Sequence, residues 1–77
     1  MGEDNAIDQE MLEFEERWFR FGGGPSDEIF TRFGMTDRTF FGAMETLMGR
    51  EYALDQVAPG DVEVMRAVIR RRLWLAS

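Results

Sequence analysis

The chain places threonine, arginine and acidic side chains in the first turns of a predicted helix, directly after a predicted tight turn. Gly34 tolerates the positive φ that a sharp turn between helices needs, and Thr36 is a good N-cap for the next helix. In a helix-turn-helix, residues at the start of the second helix reach the edges of DNA bases. The sequence therefore predicts a base-reading face formed by Thr36, Arg38, Thr39, Phe41 and Glu45.

All nine basic residues of the chain are arginine, and several of them are expected to lie on DNA phosphates beside this face. Three of them follow one another in the last predicted helix and span most of a turn, so at least one faces solvent. These three either contact phosphate or stabilise the helix end next to its negative dipole. The predicted phosphate contacts are Arg32, Arg50, Arg70, Arg71 and Arg72.

Two amphipathic helices at about residues 26–48 would position these side chains. Ile29 and Phe33 lie four residues apart on the first helix, and apolar residues recur with the helical period on the second. Because adjacent helical residues point about 100° apart, Phe40 and Phe41 cannot both face inward, and Phe41 is expected to be partly exposed. Phe41 would then touch a thymine methyl group, contact a partner protein or pack against the first helix.

The same pattern also fits a helical corner with no role in DNA binding. Any compact pair of helices needs a turn glycine and two apolar faces, and a fold alone does not define a function. The fifth position of the helix-turn-helix pattern, counted from Ser26, usually holds a small residue that lets the helices cross closely, and here it is Phe30. The purely structural corner therefore stays open as an alternative.

A preceding helix is predicted from Ala6 to about Phe21. Its apolar stripe has spacings of three and four residues and consists of Ile7, Met11, Phe14, Trp18 and Phe21. Three glycines and a proline at 22–25 end this helix and are interpreted as a flexible linker, with Ser26 capping the next helix. The paired acids Glu15-Glu16 point apart on a helix and are interpreted as part of a solvated face.

A last helix is predicted to begin at Pro59, after a connection at residues 49–58 in which Tyr52 and Leu54 turn inward. The expected fold class is all-α, a small four-helix domain with a homeodomain-like helix-turn-helix. Residues 1–5 are expected to be disordered, and residues 6–77 to form a single helical domain.

The composition limits the chemistry available to the chain. It has no cysteine, histidine or lysine, so the usual catalytic bases, nucleophiles and zinc ligands are missing, and we expect neither an enzyme nor a bound cofactor or metal. The formal net charge is −6, but seven acids and no base lie in residues 1–16. The acidic start and the absence of a membrane-spanning apolar run favour a cytoplasmic protein with no membrane contact.

Several motifs together point to a known family. They are Phe14-Glu15-Glu16-Arg17-Trp18-Phe19, the segment Ile29 to Met35, Phe40-Phe41, Leu47, Pro59 with Val62, and Arg70-Arg71-Arg72-Leu73. Over about residues 13–73 the chain resembles a small uncharacterised family of actinobacterial proteins with an aromatic pair and an Arg-rich last helix. The resemblance implies a helix-turn-helix fold, and the family has no established function.

These observations favour a small helix-turn-helix DNA-binding protein that acts in transcriptional control. The alternative is a protein-interaction module that uses the same fold to bind a transcription protein or another partner without reading DNA. The wide apolar face of the last helix also predicts a homodimer through residues 59–76, which would present two recognition helices to paired half-sites.

Overall fold

The computed structural model of the protein describes residues 2–76, with side chains described from residue 6 onward. All of the regular secondary structure in this part of the chain is helical, and it contains no strand. The elements are α1 (Gly2–Trp18), a 3-10 turn (Phe19–Phe21), α2 (Ser26–Phe33), α3 (Asp37–Leu47), α4 (Glu51–Gln56) and α5 (Pro59–Ala76). The all-α fold class is confirmed, but there are five α-helices in the described residues and not the four predicted.

Helix α3 is the central helix, because it packs against α1, α2 and α5. Phe40 is fully buried, with its ring 5.6 Å from that of Phe14 and 5.3 Å from that of Phe33, measured between centroids. Phe41 is fully buried as well, so its predicted exposure is wrong. With helices on more than one side of α3, two neighbouring side chains about 100° apart both find a packed environment.

Helix α1 begins at Gly2, before the predicted start at Ala6, and ends at Trp18, before the predicted end at Phe21. The 3-10 turn that follows buries Phe19 and leaves Phe21 76% exposed, because its tighter winding takes Phe21 off the predicted stripe. Disorder was expected for residues 1–5. Met1 lies outside the described residues, and the side chains of residues 2–5 are not described, so this expectation stays a prediction.

The glycine segment 22–25 is packed against the core, which corrects its interpretation as a flexible linker. Gly24 has a φ of 111°, and a Cβ atom there would lie 2.6 Å from the ring of Phe14. The predicted cap is also wrong, since Ser26 is the first residue of α2 and the N-cap position is Pro25. The Ser26 hydroxyl instead donates a hydrogen bond of 2.6 Å to Asp37 at the start of α3.

Helix α4 lies within the predicted connection at residues 49–58. It is only six residues long, and its buried side is formed by Ala53 and by Val57 just after it. Leu54, which was expected to turn inward, is exposed. Tyr52 is half-buried and donates a hydrogen bond of 2.6 Å from its hydroxyl to Gln9, which joins α4 to α1.

Helix α5 begins at Pro59 as predicted. We call its buried side the inner face of α5; it consists of Val62, Met65, Ile69, Arg72 and Leu73. On the opposite side Val64, Trp74 and Leu75 are exposed. Within residues 2–76, no helix has both the length and the apolar character needed to cross a membrane.

Candidate nucleic-acid interface

The turn between α2 and α3 has the geometry that the sequence predicts. Gly34 has a φ of 66° in the left-handed region, and Thr36 caps α3 by accepting a hydrogen bond of 3.3 Å from the backbone N–H of Thr39. Phe30, at the position where a small residue was expected, is 63% exposed. Its ring therefore points to solvent, and its size does not hold α2 away from α3.

The solvent-facing side of α3 carries four of the five predicted base-reading residues. Thr36, Arg38, Thr39 and Glu45 are exposed. Between them lie Gly42 and Ala43, and a Cβ atom at Gly42 would meet no other atom within 4 Å. Phe41 does not belong to this face, because it is buried. We call the exposed side of the helix, from Arg38 to Thr46, the α3 solvent face.

Arg72, one of the predicted phosphate contacts, has its guanidinium engaged inside the fold. Its guanidinium donates hydrogen bonds of 2.9 Å to the Gly22 carbonyl and 2.6 Å to the Gly24 carbonyl, and a third of 3.1 Å to the Asp37 carboxylate. The guanidinium carbon lies 4.6 Å from the centre of the Phe41 ring. Because these contacts occupy the guanidinium inside the fold, Arg72 joins α5 to the glycine segment and to α3.

Two other predicted phosphate contacts are paired with acids of the same chain. Arg32 lies 3.4 Å from Glu28 of α2, and its guanidinium is 5.9 Å from the centre of the Phe14 ring. Arg50 lies 3.7 Å from Asp8 of α1. Both guanidinium groups are more than half exposed, so these pairs hold the two side chains only weakly. The structure does not bring Arg32 or Arg50 onto the α3 solvent face.

Arg70 lies next to α3. Together with Glu45, Met48, Arg66 and Ile69 it lines a groove of about 240 Å³ between α3 and α5, which we call the α3–α5 groove. Arg38 precedes Glu45 by about two helical turns and lies on the same side of α3. Among the described residues, neither Arg38 nor Arg70 has an ion-pair or hydrogen-bond partner.

The last two arginines of the region differ in availability. Arg66, which was not among the predicted contacts, donates a hydrogen bond of 3.1 Å to the Met48 carbonyl and lies 3.9 Å from Glu63. Arg71 is exposed about 100° further around α5 than Arg70, and it has no partner among the described residues. The free guanidinium groups next to α3 are therefore those of Arg38 and Arg70.

A buried carboxyl group lies behind this surface. Glu15 is fully buried, and neither of its oxygens has a hydrogen-bond partner among the described residues, so its interpretation as part of a solvated face is wrong. Burial raises its pKa to about 8, and the positive charge of Arg72 lowers the pKa against that trend. Glu15 lies four residues after Met11 and four before Phe19, and both of these residues are buried. This spacing was the signal in the sequence that Glu15 lies on the buried side of α1.

The packed helices and the α2–α3 turn define a small all-helical domain. The chain belongs to the family described as "Protein of unknown function (DUF3263)", whose model matches residues 5–72. No curated protein and no solved structure matches the chain. This match includes nearly all of residues 13–73, the region that carries the motifs of the sequence resemblance.

Proposed function

We propose that this protein binds duplex DNA through the α3 solvent face, as a small helix-turn-helix regulator of transcription. The observation that carries the proposal is Arg38, which lies free in the first turn of α3, directly behind the Gly34 turn and the Thr36 cap. An arginine in this position of a recognition helix can donate two hydrogen bonds to one guanine. Thr39 lies beside it and is exposed, and its hydroxyl accepts a hydrogen bond of 3.2 Å from the Thr36 hydroxyl.

The side chains behind Arg38 support a close approach to DNA. The major groove of B-DNA admits an α-helix, and the distance of approach depends on the side chains that face the bases. Gly42 and Ala43 are the smallest residues and lie in the middle of the α3 solvent face. Arg70 flanks this face across the α3–α5 groove, where it can contact a phosphate oxygen.

The distribution of acids fits this orientation. Glu10 and Glu13 of α1 share a groove with Arg17 and Arg32, between α1 and α2. The α3 solvent face carries one acid, Glu45. With a formal net charge of −6 the chain is expected to bind weakly to DNA. The affinity is expected to fall steeply as salt rises, because each Arg–phosphate contact releases counterions.

Fluorescence anisotropy with duplexes selected from a random pool at low ionic strength tests the proposal. Arg38→Ala is expected to weaken binding of the selected duplex by about 5- to 100-fold and to relax its sequence preference. Arg70→Ala is expected to weaken all duplexes about equally. Arg17→Ala is the matched control, since it removes the same charge from an exposed position in the α1–α2 groove and is expected to leave the preference unchanged.

A protein-interaction module is the second candidate function. Phe30 favours it, because this large apolar side chain is 63% exposed on α2, next to the α2–α3 turn. If the wild-type protein binds no duplex at low ionic strength, the DNA proposal fails. The second candidate then predicts a partner protein that is retained on the immobilised wild-type chain and lost from the Phe30→Ala variant.

A further inference from the structure

We infer that a second copy of this chain binds the exposed side of α5, antiparallel and about a twofold axis at Ala67. The exposed positions Gly60, Val64, Ala67, Arg71 and Trp74 are spaced by four, three, four and three residues. This spacing keeps one stripe of a helix in contact with a partner helix. We call these five residues, together with Glu63 beside them, the outer face of α5.

Apolar side chains are exposed in both halves of this face. Trp74 is 75% exposed and Val64 is 50% exposed, and Leu75 next to Trp74 is 60% exposed. Exposed apolar side chains along one face of a helix are typical of a contact with another molecule. The indole of Trp74 is also the side-chain type that most often anchors protein interfaces.

The charges of the outer face identify the occupant as a second copy in antiparallel orientation. Glu63 lies in the first half of α5, and Arg71 lies in the second half. Antiparallel pairing about Ala67 brings Glu63 of each copy opposite Arg71 of the other, which gives two ion pairs by symmetry. Parallel pairing would bring Arg71 against Arg71 and is disfavoured.

The small residues fit the same register. Ala67 meets its own equivalent at the axis, where a small side chain lets the two helices approach closely. Gly60 comes opposite Trp74 of the other copy, and a Cβ atom at Gly60 would meet no atom within 4 Å, so there is room for the indole. Helix α3 packs on the inner face of α5, and the α3 solvent face therefore stays uncovered in the dimer.

Sedimentation equilibrium of the full chain, without DNA, tests the inference. The wild type is expected to show a concentration-dependent equilibrium between monomer and dimer. Ala67→Glu places two carboxylates at the axis and is expected to give a monomer, and Trp74→Ala is expected to raise the dimer Kd by about tenfold or more. Ala43→Glu is the matched control, because it makes the same change at an exposed position of α3 and is expected to keep the dimer.

A charge exchange tests the antiparallel register. Glu63→Arg and Arg71→Glu are each expected to weaken the dimer by bringing like charges together, and the double variant is expected to restore it. Within one chain these residues lie eight apart, about 12 Å along the helix, so the rescue cannot come from a pair inside one copy. Circular dichroism establishes that each variant is folded.

Three results would overturn the inference. They are a wild type that stays monomeric at high concentration, an Ala67→Glu variant that still dimerises, and a double exchange that fails to restore association. None of these measurements involves DNA, so they separate the dimer from the proposed function. Ala43→Glu separates the two properties in the opposite way, since this variant is expected to lose DNA binding and to keep the dimer.

Discussion

The inner and outer faces of α5 belong to one helix and have opposite environments. On the inner face Met65 and Ile69 are buried, and Arg72 is held by two backbone carbonyls and a carboxylate. On the outer face Trp74 is 75% exposed, and Arg71 has no partner among the described residues. Apolar side chains and an arginine therefore pack inside the domain on the inner face, and on the outer face they remain free for contact with another molecule.

The environment of each face determines which property a substitution there should change. Substitutions on the inner face should change the free energy of unfolding of the monomer. Substitutions on the outer face should change association and leave that free energy nearly constant. The following predictions test this division, with dilute protein so that the monomer is measured.

Ile69→Ala is expected to have the largest effect on stability. The side chain is 1% exposed and packs in the central core, so its truncation leaves a cavity and should lower the free energy of unfolding by about 2–5 kcal/mol. The matched change on the other side is Val64→Ala, which should cost less than about 1 kcal/mol. Urea denaturation followed by circular dichroism measures both, and equal costs would remove the distinction between the faces.

Glu15 makes stability depend on pH. Its pKa is about 8 in the folded protein against 4.5 as the ordinary value, so folding favours the neutral form. The stability is therefore full below about pH 4.5 and falls as the pH rises towards 8, by about 3 kcal/mol at pH 7. Burial and the nearby acids Glu13 and Asp61 raise the pKa of Glu16 as well, which acts in the same direction.

Glu15→Gln removes the ionisation and keeps the shape of the side chain. This variant is expected to lose most of the pH dependence and to be more stable than the wild type at pH 8. Glu10→Gln, at an exposed position of the same helix, should keep the wild-type profile. Thermal melts between pH 4 and pH 9 compare the three proteins, and parallel profiles for wild type and Glu15→Gln would contradict the assignment.

Arg72→Ala is expected to lower the free energy of unfolding by about 2–3 kcal/mol, because it leaves two carbonyls without their donor and removes the ion pair of Asp37, which keeps only the hydrogen bond from Ser26. Arg71→Ala removes the same side chain one residue earlier and should change stability by less than about 0.5 kcal/mol. The Arg72 variant should also steepen the pH dependence, since the charge that lowers the pKa of Glu15 is lost. Denaturant titrations at two pH values measure both effects.

Trp74→Ala is expected to have the smallest effect on the monomer. Three quarters of this residue's surface is in solvent, so its loss should change the free energy of unfolding by less than about 0.5 kcal/mol, in spite of the size of the indole. A cost above about 2 kcal/mol would show that Trp74 belongs to the packed core and that the outer face of α5 is not free.

Local signals in the sequence were sufficient for much of the fold. Gly34, Thr36 and Pro59 act through their own backbone and capping chemistry, so the α2–α3 turn and the start of α5 could be predicted without knowledge of the packing. The exposed positions of Arg38 and Thr39 follow from the helical period once these boundaries are known.

The remaining features depend on contacts between distant segments. Helix α4 has no side-chain cap and is held by the burial of Ala53 and Val57, which a short sequence window does not reveal. The run of three arginines does not indicate that Arg72 is the one that turns inward, because its partners come from the glycine segment and from α3. The burial of Phe41 also depends on a distant segment, since Arg72 of α5 covers its ring.

The Arg72 contacts also have a consequence for the lifetime of the folded state. They join segments that lie 35, 48 and 50 residues away in the sequence, whereas the α2–α3 turn forms from neighbouring residues. Closing such long loops is costly in entropy, so these contacts are expected to form after the folding transition state. Arg72→Ala should then accelerate unfolding and leave the refolding rate almost unchanged. The guanidinium of Arg72 would therefore prolong the lifetime of the folded state.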